Sequence, residues 1–186
     1  EYVRVKNEKY ETEVAKVKKL TVLFFNPRAG DGKAQKIAEE VIVKLKQRGD
    51  CPYHFNTNTK TEAVKKLRET LVKKQVEKII CIGGDGTLNV VATALVHAVV
   101  QVPVGVIPAG TVNNFAKKWG IPLETKKAIE IVLNGKQRFV DIGVCNGTAI
   151  ISSLMFGNLA EISNNVDQRQ KQRLGLGVYG LSAVKN

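Results

Sequence analysis

The sequence predicts an α/β chain in which helices cover a parallel sheet and an antiparallel unit follows. Three observations carry this. Four strand-length runs, at residues 20–25, 51–56, 77–82 and 102–107, alternate with longer stretches whose apolar residues recur at helical spacing. Such alternation implies right-handed crossovers and parallel pairing. Beyond residue 136 the alternation stops, and Asn146-Gly147 between two β-prone runs marks a hairpin. The expected division is a charged arm over 1–18, an α/β domain over 19–135, and part of a second, antiparallel domain over 136–186.

Residues 1–18 are charged and read as an exposed arm. The first strand, Leu20-Thr-Val-Leu-Phe-Phe25, is continuously apolar, as strands covered on both faces are. It runs into Asn26-Pro-Arg-Ala-Gly-Asp-Gly32, a loop dense in turn residues. A helix over 33–48 follows, with Ile37, Val41 and Leu45 at i, i+4 spacing and Gly49 closing it. Residues 51–56 form the second strand, and Ala63, Val64, Leu67 and Leu71 define the next helix. The third strand ends at Gly83-Gly84, and a helix carries residues 90–96. The fourth strand leads into the loop Pro108-Ala-Gly-Thr-Val-Asn-Asn-Phe-Ala116. One more helix spans 126–133, closed by Asn134-Gly135. Strands over 137–145 and 148–155 then meet at the hairpin turn. Residues 164–173 read as a polar, basic surface loop, and 174–184 as a short apolar segment.

Hydrophobic residues make up 44% of the chain and charged residues 25%, the balance of a globular protein. A net charge of +12 points to an anionic partner: nucleotide phosphates, an anionic bilayer or nucleic acid. Aromatics are 6% and do not interleave with the basic residues, so no stacking platform for single strands is indicated and nucleic acid is set aside. Cys51, Cys81 and Cys145 are odd in number and lack metal-ligand spacing, which fits a reduced, cytoplasmic setting. The first residues show no apolar leader. Residues 90–109 are apolar enough to suggest a membrane span, but Gln101 and Pro103 interrupt it. The glycines at 175, 177 and 180 follow a polar run instead of a strand, and Gly30-Asp-Gly-Lys33 lacks P-loop spacing. No serine sits in a nucleophile elbow near His54 or His97.

The chemistry concentrates at Ile82-Gly-Gly-Asp-Gly-Thr-Leu-Asn89. A strand that stops at two glycines and re-enters a helix exposes backbone N–H groups beside a helix N-terminus, a setting for phosphate. Glycines there let a ligand approach closely. Asp85 would repel a phosphate unless it holds a metal or polarises a neighbouring group; the plainer alternative is that it caps its own helix. The loops at Asn26, Thr57, Gly83 and Pro108 all follow strand carboxyl ends, where ligands of such sheets sit, so one site is expected.

Three blocks, Phe25-Asn-Pro-Arg-Ala-Gly30, Gly83-Gly-Asp-Gly-Thr-Leu-Asn89 and Ile107-Pro-Ala-Gly-Thr-Val-Asn-Asn-Phe-Ala116, together resemble the diacylglycerol kinase catalytic domain, a family that includes bacterial lipid kinases and the sphingosine and ceramide kinases. Asp141-Ile-Gly143 also matches, and NAD kinases share the glycine turn more distantly. The resemblance implies a Rossmann-like nucleotide-binding domain followed by the start of an antiparallel β-sandwich, incomplete at Asn186. It implies ATP and Mg²⁺ as cofactors, with nucleotide contacts at Asn26, Thr57, Gly83, Gly84, Asp85, Gly86, Thr87, Leu88, Asn89, Gly110, Thr111 and Asn113. Asp85 is the expected catalytic residue, and the general base is expected beyond residue 186. No metal-ligand set is assigned. Lys33 could offset phosphate charge or be a solvated helix residue.

The implied reaction moves the γ-phosphoryl of ATP to a lipid hydroxyl, most simply diacylglycerol giving phosphatidic acid, by a cytoplasmic protein peripheral at the membrane surface. Homo-oligomer formation stays open. Two departures stand out, since the family's acidic residues after the second block and within the third are Val90 and Asn114 here. They keep open a binding module without turnover. A kinase of a soluble acceptor, like NAD kinase, is the remaining alternative.

Overall fold

The computed structural model describes residues 20–27 and 32–152. In chain order it has β1 (Leu20–Phe25), α1 (Lys33–Gln47), β2 (Cys51–His54), α2 (Lys60–Lys73), β3 (Val76–Gly83), α3 (Asp85–Ala98), β4 (Val104–Pro108), α4 (Asn114–Lys118), α5 (Thr125–Asn134), β5 (Gly143–Cys145) and β6 (Thr148–Ile150). The first four strands form one parallel sheet in the order β2-β1-β3-β4, and β5 and β6 pair antiparallel by themselves. The expected α/β class, with its parallel sheet and following antiparallel pair, is therefore present.

Alternation along β1 explains why its sequence is apolar throughout. Leu23 and Phe25 face one side, packing with Ile80, Ile82 and Ile107 beneath α1 and α5. Val22 and Phe24 face the other, packing with Ile79 and Cys81 beneath α2 and α3. Period-two side chains with both faces covered leave no polar position. Thr21 is the exception. It is fully buried, and among the described residues its hydroxyl meets no hydrogen-bond partner. Thr21→Val is expected to raise stability by about 1 kcal/mol, seen as a higher thermal midpoint.

Burial pushes the Cys81 thiol up to about 12, whereas Cys145 is exposed. A maleimide is expected to modify Cys145 in the native chain and to reach Cys81 only on unfolding, as mass mapping of the labelled peptides would show.

Several boundaries differ from the sequence expectation. The helix after the glycine turn begins at Asp85, five residues earlier than expected, because Gly84 alone makes the turn and its carbonyl already accepts from Thr87 and Leu88. The short helix α4 replaces part of the expected loop after β4. Residues 137–142 are not a strand. The hairpin ladder ends at Gly143↔Ile150, and residues 151 and 152 bend, so among the described residues nothing pairs with 137–142. The turn itself is as expected, with positive φ at Asn146 (47°) and Gly147 (73°). The arm over 1–18, the tip of the first loop at 28–31, the remainder of the strand expected over 148–155, the loop over 164–173 and the segment over 174–184 lie outside the described residues. Among the described residues no helix is long and apolar enough to cross a membrane.

Candidate functional site

Connections from β1 and β3 leave toward opposite faces of the sheet: α1 packs on one side, α2 and α3 on the other. Adjacent strands whose connections diverge open a crevice at their carboxyl ends, the usual ligand position in such folds. Asn26 ends β1 there, and Gly83-Gly84 ends β3 there. Lys33, exposed, opens α1 on the same edge.

The second and third sequence blocks meet backbone to backbone. The Ala109 amide donates to the Gly83 carbonyl at 3.0 Å, continuing the β3–β4 ladder past its last pair. A Cβ on Gly110 would lie 2.5 Å from the Gly84 Cα, and one on Gly84 would lie 3.0 Å from the Gly110 Cα. A Cβ on Gly83 would lie 2.5 Å from the Thr87 hydroxyl. Contact therefore demands glycine at positions 83 and 110 and leaves position 84 tight. Gly86 is different. It is exposed in the first turn of α3, and a Cβ there would meet nothing within 4 Å. No packing explains this glycine, and glycine inside a helix costs about 1 kcal/mol relative to alanine.

Asp85 opens α3 but does not cap it. Its two carboxylate oxygens accept from the backbone amides of Asn114 and Phe115, each at 2.9 Å. These are the first amides of α4, whose own N-cap side chain, Asn113, is used elsewhere. Asn113, held at φ 55°, accepts from the Gly110 amide at 3.0 Å and donates to the Gly110 carbonyl at 2.8 Å, closing the turn that presents Thr111 to solvent. The alternative in which Asp85 caps its own helix is thus corrected: the carboxylate neutralises the positive end of the next helix and fastens the third block to the second. Gly83, Gly84, Asp85, Leu88 and Asn113 line a small hollow of about 10 Å³ at this junction.

The other expected residues lie around this centre. Thr87 and Leu88 are in the first turn of α3, Leu88 buried beneath it. Thr57 follows β2, two strands from β3, so roughly 10 Å of sheet separates them. Nearby, Glu62 accepts from the Asn58 amide and its own amide donates to the Thr59 hydroxyl, a cap for α2. The Asn89 side chain is turned toward the hairpin, donating to the Ala149 carbonyl. Thr93 accepts from the Ala149 amide at 3.1 Å, and His97 Nε2 donates to the Gly147 carbonyl at 2.7 Å. These three residues, spaced i, i+4, i+8 on α3, fasten the β5–β6 hairpin to it. Sequence reasoning treated this helix as apolar, although that polar spacing is visible in it. Beside this stripe a groove of about 460 Å³ runs between α2 and α3, with Lys60, Lys65 and Arg68 on its wall. Val90, where the resembling family has glutamate, lines it and packs into the core.

Comparison with known proteins agrees with this arrangement. Residues 20–145 match the model of the diacylglycerol kinase catalytic domain. The chain is 34% identical over 167 residues to the diacylglycerol kinase of Bacillus subtilis, covering 88% of this chain and 54% of that protein. It is 28% identical over 169 residues to the diacylglycerol kinase of Staphylococcus carnosus, covering 91% and 55%. A Bacillus anthracis structure solved under the provisional name of a diacylglycerol kinase superposes with a TM-score of 0.67 at 27% identity, covering 95% of this chain and 59% of that one. This chain thus spans about half the length of the curated relatives it matches. With a family model covering most of its length, the chain belongs to the diacylglycerol kinase catalytic domain family.

Proposed function

We propose that this chain carries the nucleotide half, residues 19–135, and the start of the lipid-side unit, residues 136–186, of an ATP-dependent lipid kinase acting on diacylglycerol. The observation that carries this reading is Gly86, a bare backbone position facing open space in the first turn of α3, beside a junction that packing alone fully explains. Phosphate oxygens approaching the first-turn amides of α3 need that space. Among the described residues Asp85 is the one carboxylate lining the junction, and each oxygen keeps lone-pair capacity beyond its backbone bond. Among the described residues no group of three His, Cys, Asp or Glu could hold a metal unaided. Mg²⁺ takes one or two carboxylates together with substrate phosphates, so Asp85 would hold it with the nucleotide, and it would supply charge neutralisation when bound. In this reading the chain's own residues bind and orient: the Asn113-clamped turn presents Thr111, and Asp85 fixes the distance between the two glycine loops.

The reading predicts opposite signs for two measurements on Gly86→Ala. Thermal stability should rise by about 0.5–1 kcal/mol, because the helix gains a better former. ATP affinity by titration calorimetry should fall at least tenfold. Unchanged affinity would remove Gly86 from the ligand path and with it the reading's main support. The reaction is tested by labelled phosphate transfer from Mg·ATP to diacylglycerol in mixed micelles, using the full-length gene product. Label in the lipid is the expected result. Bound ATP without transfer would instead favour a binding module, the second reading suggested by neutral Val90 and Asn114.

A further inference from the structure

We propose that the loop between α4 and α5, residues 119–123, docks this chain onto an anionic bilayer and turns the glycine junction toward it. The inference rests on the lipid-kinase reading only for why a bilayer is nearby; the surface itself is argued from placement, exposure and charge. α1 starts at the carboxyl edge of the sheet, after β1, so its last turn and the following Arg48 lie at the opposite edge. The Arg48 guanidinium donates to the Asn134 side-chain oxygen at 2.8 Å, which places the C-terminus of α5 at that opposite edge too. The N-terminus of α5 and the loop before it therefore lie at the carboxyl edge. α4, which leads into the loop, is the helix fastened to Asp85.

On this edge the loop exposes Trp119 (38%) and Leu123 (48%), with Ile121 and Pro122 half-buried between them. The Trp119 ring meets Phe115 at a tilt, centroids 6.2 Å apart, and the Lys118 ammonium lies 5.8 Å from its centroid, so the exposed indole already carries a cation at its face. Lys117, Lys118, Lys126 and Lys127 flank it, all exposed. Glu124 is the sole acidic residue from 114 to 129, and Lys127 already pairs with it at 2.7 Å. A tryptophan and a leucine ringed by lysines is the composition of a membrane interface: the indole sits at headgroup depth and the lysine stems lie along the apolar surface with their amines among lipid phosphates. The charge selects an anionic surface over a neutral one.

Trp119 is the single tryptophan of the 186 residues, so its emission reports on this loop alone. The chain would be titrated with phosphatidylcholine vesicles with or without phosphatidylglycerol. Expected are a blue shift and quenching by brominated acyl chains with phosphatidylglycerol only, both weakened by salt. Lys117→Gln combined with Lys126→Gln should weaken binding on the order of tenfold or more, with the thermal midpoint unchanged. Co-sedimentation with unmoved Trp119 emission would overturn the proposal, since another surface would then meet the lipid. So would the absence of co-sedimentation, or a shift that follows protein concentration without lipid, which would mean that a second copy covers the loop. Labelled diacylglycerol from the full-length gene product with unmoved Trp119 in this chain would sink the docking surface alone; inserted Trp119 without lipid phosphorylation by the full-length product would sink the kinase reading and leave the surface standing.

Discussion

Replacing Gly110 with alanine is expected to lower the midpoint of thermal unfolding by roughly 10 °C, from about 3 kcal/mol of lost stability. The new methyl would lie 2.5 Å from the Gly84 Cα and 2.9 Å from the Asn113 side-chain oxygen. The first neighbour is backbone and cannot rotate away. Relief requires the two glycine loops to part, which breaks the Ala109–Gly83 hydrogen bond, while the contact with the Asn113 side-chain oxygen separately disturbs its clamp on Gly110. Nucleotide affinity should fall by about a hundredfold or more, because both loops leave their places around one site. Differential scanning calorimetry and ATP titration on the same sample would check both effects. An alanine variant that melts with the parent would mean that the loops do not touch as described.

Asp85→Ala is expected to remove phosphoryl transfer to background and to cost about 2 kcal/mol of stability. The structural part follows from two amides at the start of α4 losing a charged acceptor at once. Asp85→Asn separates that part from the chemistry. Its one remaining oxygen can still accept from α4, so it should cost about 1 kcal/mol, while its lost charge should reduce transfer nearly as far as alanine does. Substantial transfer in the asparagine variant, measured with labelled ATP in micelles, would mean that Asp85 only positions α4.

What the sequence made legible was what neighbouring residues decide. β1, β3 and β4 could be read because burial on both faces leaves an unbroken apolar run, and the hairpin turn because Asn146-Gly147 tolerates positive φ. α4 could not. Five residues with no cap of their own make no helical signal, and the group that caps them lies 29 residues earlier in Asp85. The same distance hid the role of Asp85, since a carboxylate amid glycines looks the same whether it faces a metal or an amide. Glycine spacing marked the second block without dividing its members. Only the assembled backbone separates Gly83, Gly84 and Gly110, all crowded by close contact, from Gly86, which contact leaves unexplained. The short β5 shows the converse failure: residues 137–142 have strand composition, but a strand also needs a neighbour, and the described residues supply none.

The three hydrogen bonds between α3 and the hairpin make that helix a common support of both sheets. One end of it begins at the glycine turn; the Asn89, Thr93 and His97 side chains along its length hold Ala149 and Gly147. Fourteen helical residues extend about 21 Å and bend little. A small tilt imposed at Gly84 is therefore delivered to the hairpin as a swing, with no hinge between to absorb it. Filling the glycine turn and orienting whatever the hairpin carries become one mechanical coordinate.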